Sequence, residues 1–397
     1  MRKTAYAAGI FLALFYYATL NNTHGPLLSD IINHYGLNEA QKGMAVAAQN
    51  TGSIIALISS LFVVGRVAKP YLLCASVAIC ALLMIPIGLP PAFIAFVGLF
   101  VVLGIAAAYV DSTASSAIAD LYEGKTAVRM MCALHAVFGM AGMVMPLAFQ
   151  ALMNNALTLN GVTFTVSWNG VYFAVFAFGA LLSAYIIPVS VRRARAEAAG
   201  SDMRAQKMSL NGLTRFLRDR VMLLILAAIF VYAFFFSGFT IWIKRYISDL
   251  LGDDNIGSLA LSVFWVGMTA SRLLSPFIRL SPIAQIRWFS LAAALVLAIG
   301  LLVSNAAVIC AVSALTGLLA GAAIPLAIHV ACERFRENTM MASAFILLVL
   351  YVAQIVCPPL MGIAETQFGL RWAMMVCPAA LAMCGGVLCF IRRAKDA

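Results

Sequence analysis

Residues 91–119 read PAFIAFVGLFVVLGIAAAYVDSTASSAIA, and Asp111 is the only charged side chain among them. As a helix this stretch would rise about 43 Å at 1.5 Å per residue, more than the ~30 Å of hydrocarbon in a bilayer. It does not alternate polar and apolar positions as a barrel strand of ~10 residues would. A helix is left as the economical structure, because lipid offers its backbone no other hydrogen-bond partners.

The rest of the chain repeats this pattern. Of its 397 residues 63% are hydrophobic and 10% charged, and the mean hydropathy is +0.98. These values exclude a soluble domain. Apolar runs are read at 4–33, 38–64, 70–88, 91–119, 126–153 and 168–190, then at 219–247, 256–277, 285–303, 306–332, 338–363 and 370–391. Turn and polar signals separate them, including Pro90-Pro91, Glu123-Gly124-Lys125, the segment Asn154 to Asn169, and Gly252 to Asn255. The longest polar stretch, Arg192 to Asn211, divides the spans six and six. The expected fold is therefore an all-α membrane protein of twelve transmembrane helices in two pseudo-symmetric six-helix bundles. Its parts would be residues 1–191, a cytoplasmic linker at 192–217, and residues 218–397. Arg2 and Lys3 ahead of an apolar run imitate a signal peptide, but the similar spans that follow favour an uncleaved first helix.

The bases set the orientation. If the N-terminus is cytoplasmic, all 26 Lys and Arg fall on that side except Lys42, Lys244, Arg245 and Arg371. The positive-inside rule then places both termini and the linker in the cytoplasm, in a bacterial-style inner membrane. The net charge of +11 punctuates the spans and is not gathered on one face, so nucleic acid is not an expected partner. Eight of the nine cysteines, Cys74, Cys80, Cys132, Cys310, Cys357, Cys377, Cys384 and Cys389, lie in apolar runs without metal-ligand spacing and read as small core residues.

Polar side chains inside spans are the functional candidates, since a charge at the bilayer centre costs roughly 2.5 kcal/mol or more. Asp111 is the one carboxylate well inside a span, accompanied by Ser112, Thr113 and Ser115, with Ser115 one turn along the same face. It reads as a proton site or solute acceptor, or else as a structural carboxylate satisfied by neighbouring hydroxyls. His135 on the fifth span, near Gly139 and Gly142, is either a proton relay or a packed imidazole. Asn21, Asn22, Thr23 and His24 before Gly25-Pro26 suggest a polar break in the first helix lining a cavity, or a turn facing water. Gln49, Asn50, Trp242 and Gln354 are further candidates for a cavity lining or for helix cross-links. His329 with Glu333 lies near a cytoplasmic end.

These residues resemble those of the major facilitator superfamily over the whole chain, and within it those of the fucose:proton symporter group of sugar porters. The run Asp111-Ser112-Thr113-Ala114-Ser115 is similar to the group's acid, small residues and Asn, followed by Leu134-His135 and Phe138-Gly139 to Pro146. Fainter similarities lie at Asn21-Asn22, Tyr232 with Gly238 and Trp242, Ser271-Arg272-Leu273-Leu274, and Pro325. The chain departs from the pattern in several places. His24 or Gly25 stands where the group has an acid, Ser115 replaces its Asn, Phe236 replaces an acid of related porters, and Gly65 to Lys69 lacks the superfamily's usual Asp. The resemblance implies the fold and alternating access around a site near the midplane, while a sugar substrate carries over poorly.

The expected function is secondary active transport of a small polar solute, sugar-like or a weak organic acid. Asp111 and His135 would serve the proton coupling, and Asn21, Asn22, His24, Ser115, Gln49, Asn50, Trp242 and Gln354 the solute. The energy source is expected to be a proton gradient, with sodium as the alternative ion, and no cofactor. No Gly-x-x-x-x-Gly-Lys-Ser/Thr run is present to bind a nucleotide. Proton-driven efflux of lipophilic compounds is the alternative within transport, given 25 Phe and 19 Met. A channel would want rings of charge, and an intramembrane enzyme a nucleophile or a His/Cys cluster. A monomer in the bilayer is expected.

Topology is directly testable. In a background lacking native cysteines, Ser201→Cys is expected to resist a membrane-impermeant maleimide in intact cells and to react after permeabilisation. Labelling in intact cells would reverse the orientation.

Overall fold

The computed structural model describes residues 3–63, 66–154, 157–159, 162–200 and 210–391. Much of the linker, Ser201 included, and the bases Arg392 and Arg393 lie outside the described residues.

The helices are α1 (Lys3–Tyr35), α2 (Glu39–Val63), α3 (Lys69–Gly88), α4 (Phe93–Leu121), α5 (Gly124–Asn154) and α6 (Trp168–Gly200). They are followed by α7 (Leu210–Arg218), α8 (Arg220–Leu251), α9 (Asp254–Leu274), α10 (Pro282–Val303), α11 (Ala306–Ala320) and α12 (Ala323–Arg334). The chain closes with α13 (Thr339–Phe368), α14 (Leu370–Met374) and α15 (Val376–Cys389). Ten stretches of the described residues are long and apolar enough to cross a membrane, with α11–α12 and α14–α15 each counted as one. Together with α1, of 33 residues, and α2, of 25, they make up the twelve-helix fold.

The polar segments hold more order than their composition suggests. Within Asn154 to Asn169 a short antiparallel pair forms between β1 (Leu157–Leu159) and β2 (Val162–Phe164). The start of the expected linker is helical, since α6 runs on past Arg192 to Gly200. Ala, Arg and Glu are good helix formers, and Arg193 pairs with Glu197 at 2.6 Å one turn on. The linker's far end forms α7, whose Phe216 is fully buried against the rings of Phe335 and Phe345. The next helix start is capped by Asp219, which accepts from the Met222 N–H and also receives Arg334 at 2.9 Å.

Contacts group the chain into two compact units, residues 1–121 with 140–207, and residues 122–139 with 208–397. The first part of α5 thus belongs, by its contacts, with the second unit.

Each unit is built around a seam where two helices meet backbone to backbone. In the first unit a Cβ on Gly52 would stand 1.9 Å from the Val101 carbonyl oxygen, and one on Gly104 would stand 2.0 Å from that of Gln49. In the second unit a Cβ on Gly267 would meet the Ala314 carbonyl at 2.3 Å, and one on Gly317 that of Phe264 at 2.3 Å. The logic is the same in both. Each glycine follows by three positions the residue whose carbonyl faces the partner's glycine, so α2–α4 and α9–α11 are the same construction made twice. Lipid gives helices no hydrophobic reason to associate, and small residues that allow close approach supply the packing. Of the cysteines, Cys389 is exposed and Cys310 half-buried, unlike the buried Cys74, Cys80, Cys132, Cys332, Cys357, Cys377 and Cys384.

The seams predict a contrast. Gly52→Val and Gly317→Val force side-chain carbon onto a carbonyl and are expected to lower the thermal transition of the purified protein, each by the equivalent of about 1–3 kcal/mol. Gly98→Val, at an exposed position of α4 with nothing within 4 Å, should leave it unchanged. Equal behaviour of all three would show that the seams do not set stability.

Candidate functional site

The interior of α4 carries an unusual concentration of polar groups. Asp111 is 4% exposed, and Ser112, Thr113, Ser115 and Ser116 are all fully buried. Among the described residues Asp111 is the only buried Asp or Glu. The Ser115 hydroxyl lies one turn on and donates to Asp111 Oδ1 at 3.5 Å. Ser116 instead bonds back to the Thr113 carbonyl at 3.1 Å, and the Thr113 hydroxyl is buried without a hydrogen-bond partner among the described residues. Burying a carboxylate is costly unless hydrogen bonds or neutralisation compensate. Here the Ser115 hydroxyl, one turn along the same face, supplies part of that compensation.

A second polar layer lies elsewhere in the same unit. Gln49 Nε2 donates to Asn21 Oδ1 at 3.3 Å, joining α2 to α1. Asn21 and Asn22 each turn their amide nitrogen back to the carbonyl four residues earlier, Tyr17 at 2.9 Å and Ala18 at 2.8 Å. Thr19 and Thr23 bond back in the same way, to Phe15 and Thr19. The polar run therefore does not interrupt α1, as its composition suggested. Its side chains satisfy themselves on their own helix, a known habit of such residues, and the helix passes unbroken through Gly25-Pro26. The His24 side chain lies outside the described residues. Asn22 faces Gly142, whose Cβ would sit 3.5 Å from its amide oxygen. Asn50 is half-buried.

The register of α2 on α4 separates these layers. Ser53 donates to the Gly104 carbonyl at 3.3 Å, and Ser59 pairs with the Tyr109 hydroxyl at 2.8 Å. Asp111 comes seven residues after Gly104, roughly 10 Å further along α4. Asn21 and Gln49 thus form one group, and Asp111 and Ser115 another.

His135 belongs to the second unit and is 7% exposed. Its carbonyl accepts from Arg272 Nη1 at 2.7 Å. Trp242, also buried, donates its indole N–H to Glu365 Oε2 at 3.2 Å, and Arg245 grips the same carboxylate through both terminal nitrogens at 3.0 and 2.7 Å. Trp242 is therefore part of a cross-link between α8 and α13. Glu365 went unnoticed in the sequence because it lies three residues from the end of α13. Gln354 is half-buried on that helix. His329 pairs with Glu333 at 3.3 Å near the end of α12. No group of three or more His, Cys, Asp or Glu suited to a metal occurs among the described residues.

The residue that sequence reasoning undervalued most is Arg272. It is 4% exposed, and its Nε donates to the Gly321 carbonyl at 3.0 Å. An arginine inside an apolar helix is as strong a signal as Asp111, but Arg272 enters the sequence reading only through the resemblance at Ser271-Arg272-Leu273-Leu274 and the count of cytoplasmic bases.

Comparisons with known proteins agree with this architecture. No curated protein matches the sequence. Among solved structures, a transporter of this architecture called FucP, in the outward conformation, superposes with a TM-score of 0.78 at 13% identity, covering 98% of this chain and 100% of its own. The human organic anion transporter MFSD10 gives 0.74 at 14% identity, covering 98% and 100%. The proton:xylose symporter XylE, bound to a bromodeoxyglucose, gives 0.76 at 10% identity, covering 98% and 95%. At such identities the likeness is one of fold. The family model described as Major Facilitator Superfamily matches residues 10–304, and the chain belongs to that superfamily of transporters.

Proposed function

We propose that this transporter moves a small polar solute, sugar-like or a weak organic acid, by proton-coupled alternating access, with Asp111 as the principal protonation site. The observation that carries the proposal is the burial of Asp111 beside the Ser115 hydroxyl, alone of its kind among the described acids. A gradient-driven carrier needs a group whose charge can change inside the membrane, and intramembrane carboxylates are the usual means. Ser115 donates to the ionised carboxylate at Oδ1, and its hydroxyl oxygen accepts from the carboxyl once that is protonated. His135 modulates this step or donates to the solute.

A primary amide has two N–H donors and two acceptor lone pairs, so Asn21, Asn22 and Gln49, each using one N–H in the bonds described above, have capacity left for a neutral polyol or a carboxylic acid, without net charge. Multiply charged anions fit poorly beside a single acid. The proton:xylose symporter and the E. coli fucose:proton symporter among the structural neighbours support proton-coupled transport of this kind. The distribution of bases supports a cytoplasmic location for both termini, and no cofactor or second subunit is invoked.

Proteoliposomes test the reading. With labelled fucose, xylose and lactate as probes, Asp111→Asn is expected to reduce accumulation driven by an imposed proton gradient to the level of empty vesicles while retaining counterflow exchange, which requires no net proton movement. Full accumulation by Asp111→Asn would make the carboxylate structural. Single alanine changes at Asn21, Asn22 and His24 should weaken binding of the transported probe about fivefold each, the worth of one hydrogen bond, without loss of expression. Unaltered affinity in all three would remove this layer from the site.

A further inference from the structure

The helix pair α11–α12 is interrupted at Gly321-Ala322, and its sequence explains why. In a continuous helix the Gly321 carbonyl would accept from the N–H of residue 325, but residue 325 is proline and has none. Three side chains from neighbouring helices meet the groups left over. The Tyr232 hydroxyl of α8 donates to the Ala320 carbonyl at 2.9 Å, the Ser271 hydroxyl of α9 accepts from the Ala322 N–H at 3.1 Å, and Arg272 Nε donates to the Gly321 carbonyl. Tyr232, Ser271, Arg272 and Pro325, scattered through the sequence, thus converge on one interruption.

Arg272 does more than fill the gap left by proline. Its other arm reaches α5 and donates to the His135 carbonyl at 2.7 Å. One turn of α9 away, a Cβ on Gly139 would stand only 2.2 Å from Thr269 Oγ1, and Phe138 packs on Trp265 with ring centroids 6.4 Å apart. The guanidinium is planar and its donors are fixed in direction, so two carbonyls on two elements are held at a set spacing.

We propose that Arg272 is a positioning residue with two separable duties. Toward α11–α12 it replaces the donor that Pro325 lacks, and toward α5 it fixes the backbone that carries His135. The relevance of His135 rests on the transport reading above, but the geometric claim does not. It is tested by hydrogen exchange of the purified full-length protein in nanodiscs with no solute present, so that failure to find a solute leaves the test intact.

Arg272→Gln is expected to speed amide exchange about tenfold or more in peptides covering both 316–326 and 132–140, as loss of a buried charge-assisted bond should. Adding Pro325→Ala restores a donor four residues after Gly321. The double variant should bring 316–326 back to within about threefold of the native rate and leave 132–140 fast. Rescue of both peptides, rescue of neither, or no acceleration in Arg272→Gln would each overturn the proposal. If Arg272→Gln does not fold, the double variant alone decides the first duty. With the donor to Gly321 restored it should fold, with 316–326 near the native rate and 132–140 fast, and a double variant that also fails to fold would refute it.

Discussion

Inside hydrocarbon no water waits to bond a stray amide or carbonyl, so an unpaired backbone group costs several kcal/mol and regular helix is the state of rest. Wherever this chain departs from that state, a side chain has to supply what the helix no longer does. The interruption of α11–α12 obeys this rule fully, with a phenol, a guanidinium and a serine hydroxyl bonded to the consecutive residues Ala320, Gly321 and Ala322. The polar run of α1 obeys it in the opposite way. There the amides and hydroxyls fold back onto their own helix and no interruption follows.

The same constraint explains where the two units differ. Their glycine seams match position for position, with Gly104 of α4 standing where Gly317 stands in α11. Yet α4 continues past its seam as unbroken helix to Leu121, while α11 ends at Ala320, three residues beyond Gly317. What α4 carries in the equivalent stretch is Asp111 and its hydroxyls, a polar side chain on an intact backbone. What α11–α12 carries is an opened backbone among apolar side chains. One unit therefore presents its polarity through a titratable group and the other through peptide groups, and a single construction has been put to two chemical uses.

Most of the architecture was legible in the sequence, because span length and the spacing of turns depend on composition that can be read residue by residue. Asp111 and Ser115 were legible for the same reason, since an acid in an apolar helix stands out and its i+4 neighbour shares its face. The pairing of Gln49 with Asn21 could be anticipated only as a common polarity, because the register between helices is set by glycine contacts that no single helix reveals. Trp242 reads from the sequence equally as cavity lining or as a helix cross-link, and its bond to Glu365, which Arg245 also holds, makes it a cross-link. The convergence of Tyr232, Arg272 and Pro325 was out of reach for a plain physical reason. Each belongs to a different helix, and although the carbonyl four residues before a proline can be read from the sequence, only folding decides which arginine and which tyrosine lie near it.

The glycine seams also bear on how such a molecule is able to move. Two helices whose carbonyls lie against each other's glycines cannot slide, because a shift of even one residue would replace a gap with a side chain. They cannot roll either, since the contact is one backbone on another with no flexible side chain between to act as a bearing. Kinematically α2 with α4 is a single plank, and so is α9 with α11. The count of independent parts in each unit is accordingly smaller than its count of helices. Whatever freedom the unit has must be found at joints outside the planks, where side chains and not backbone form the contact.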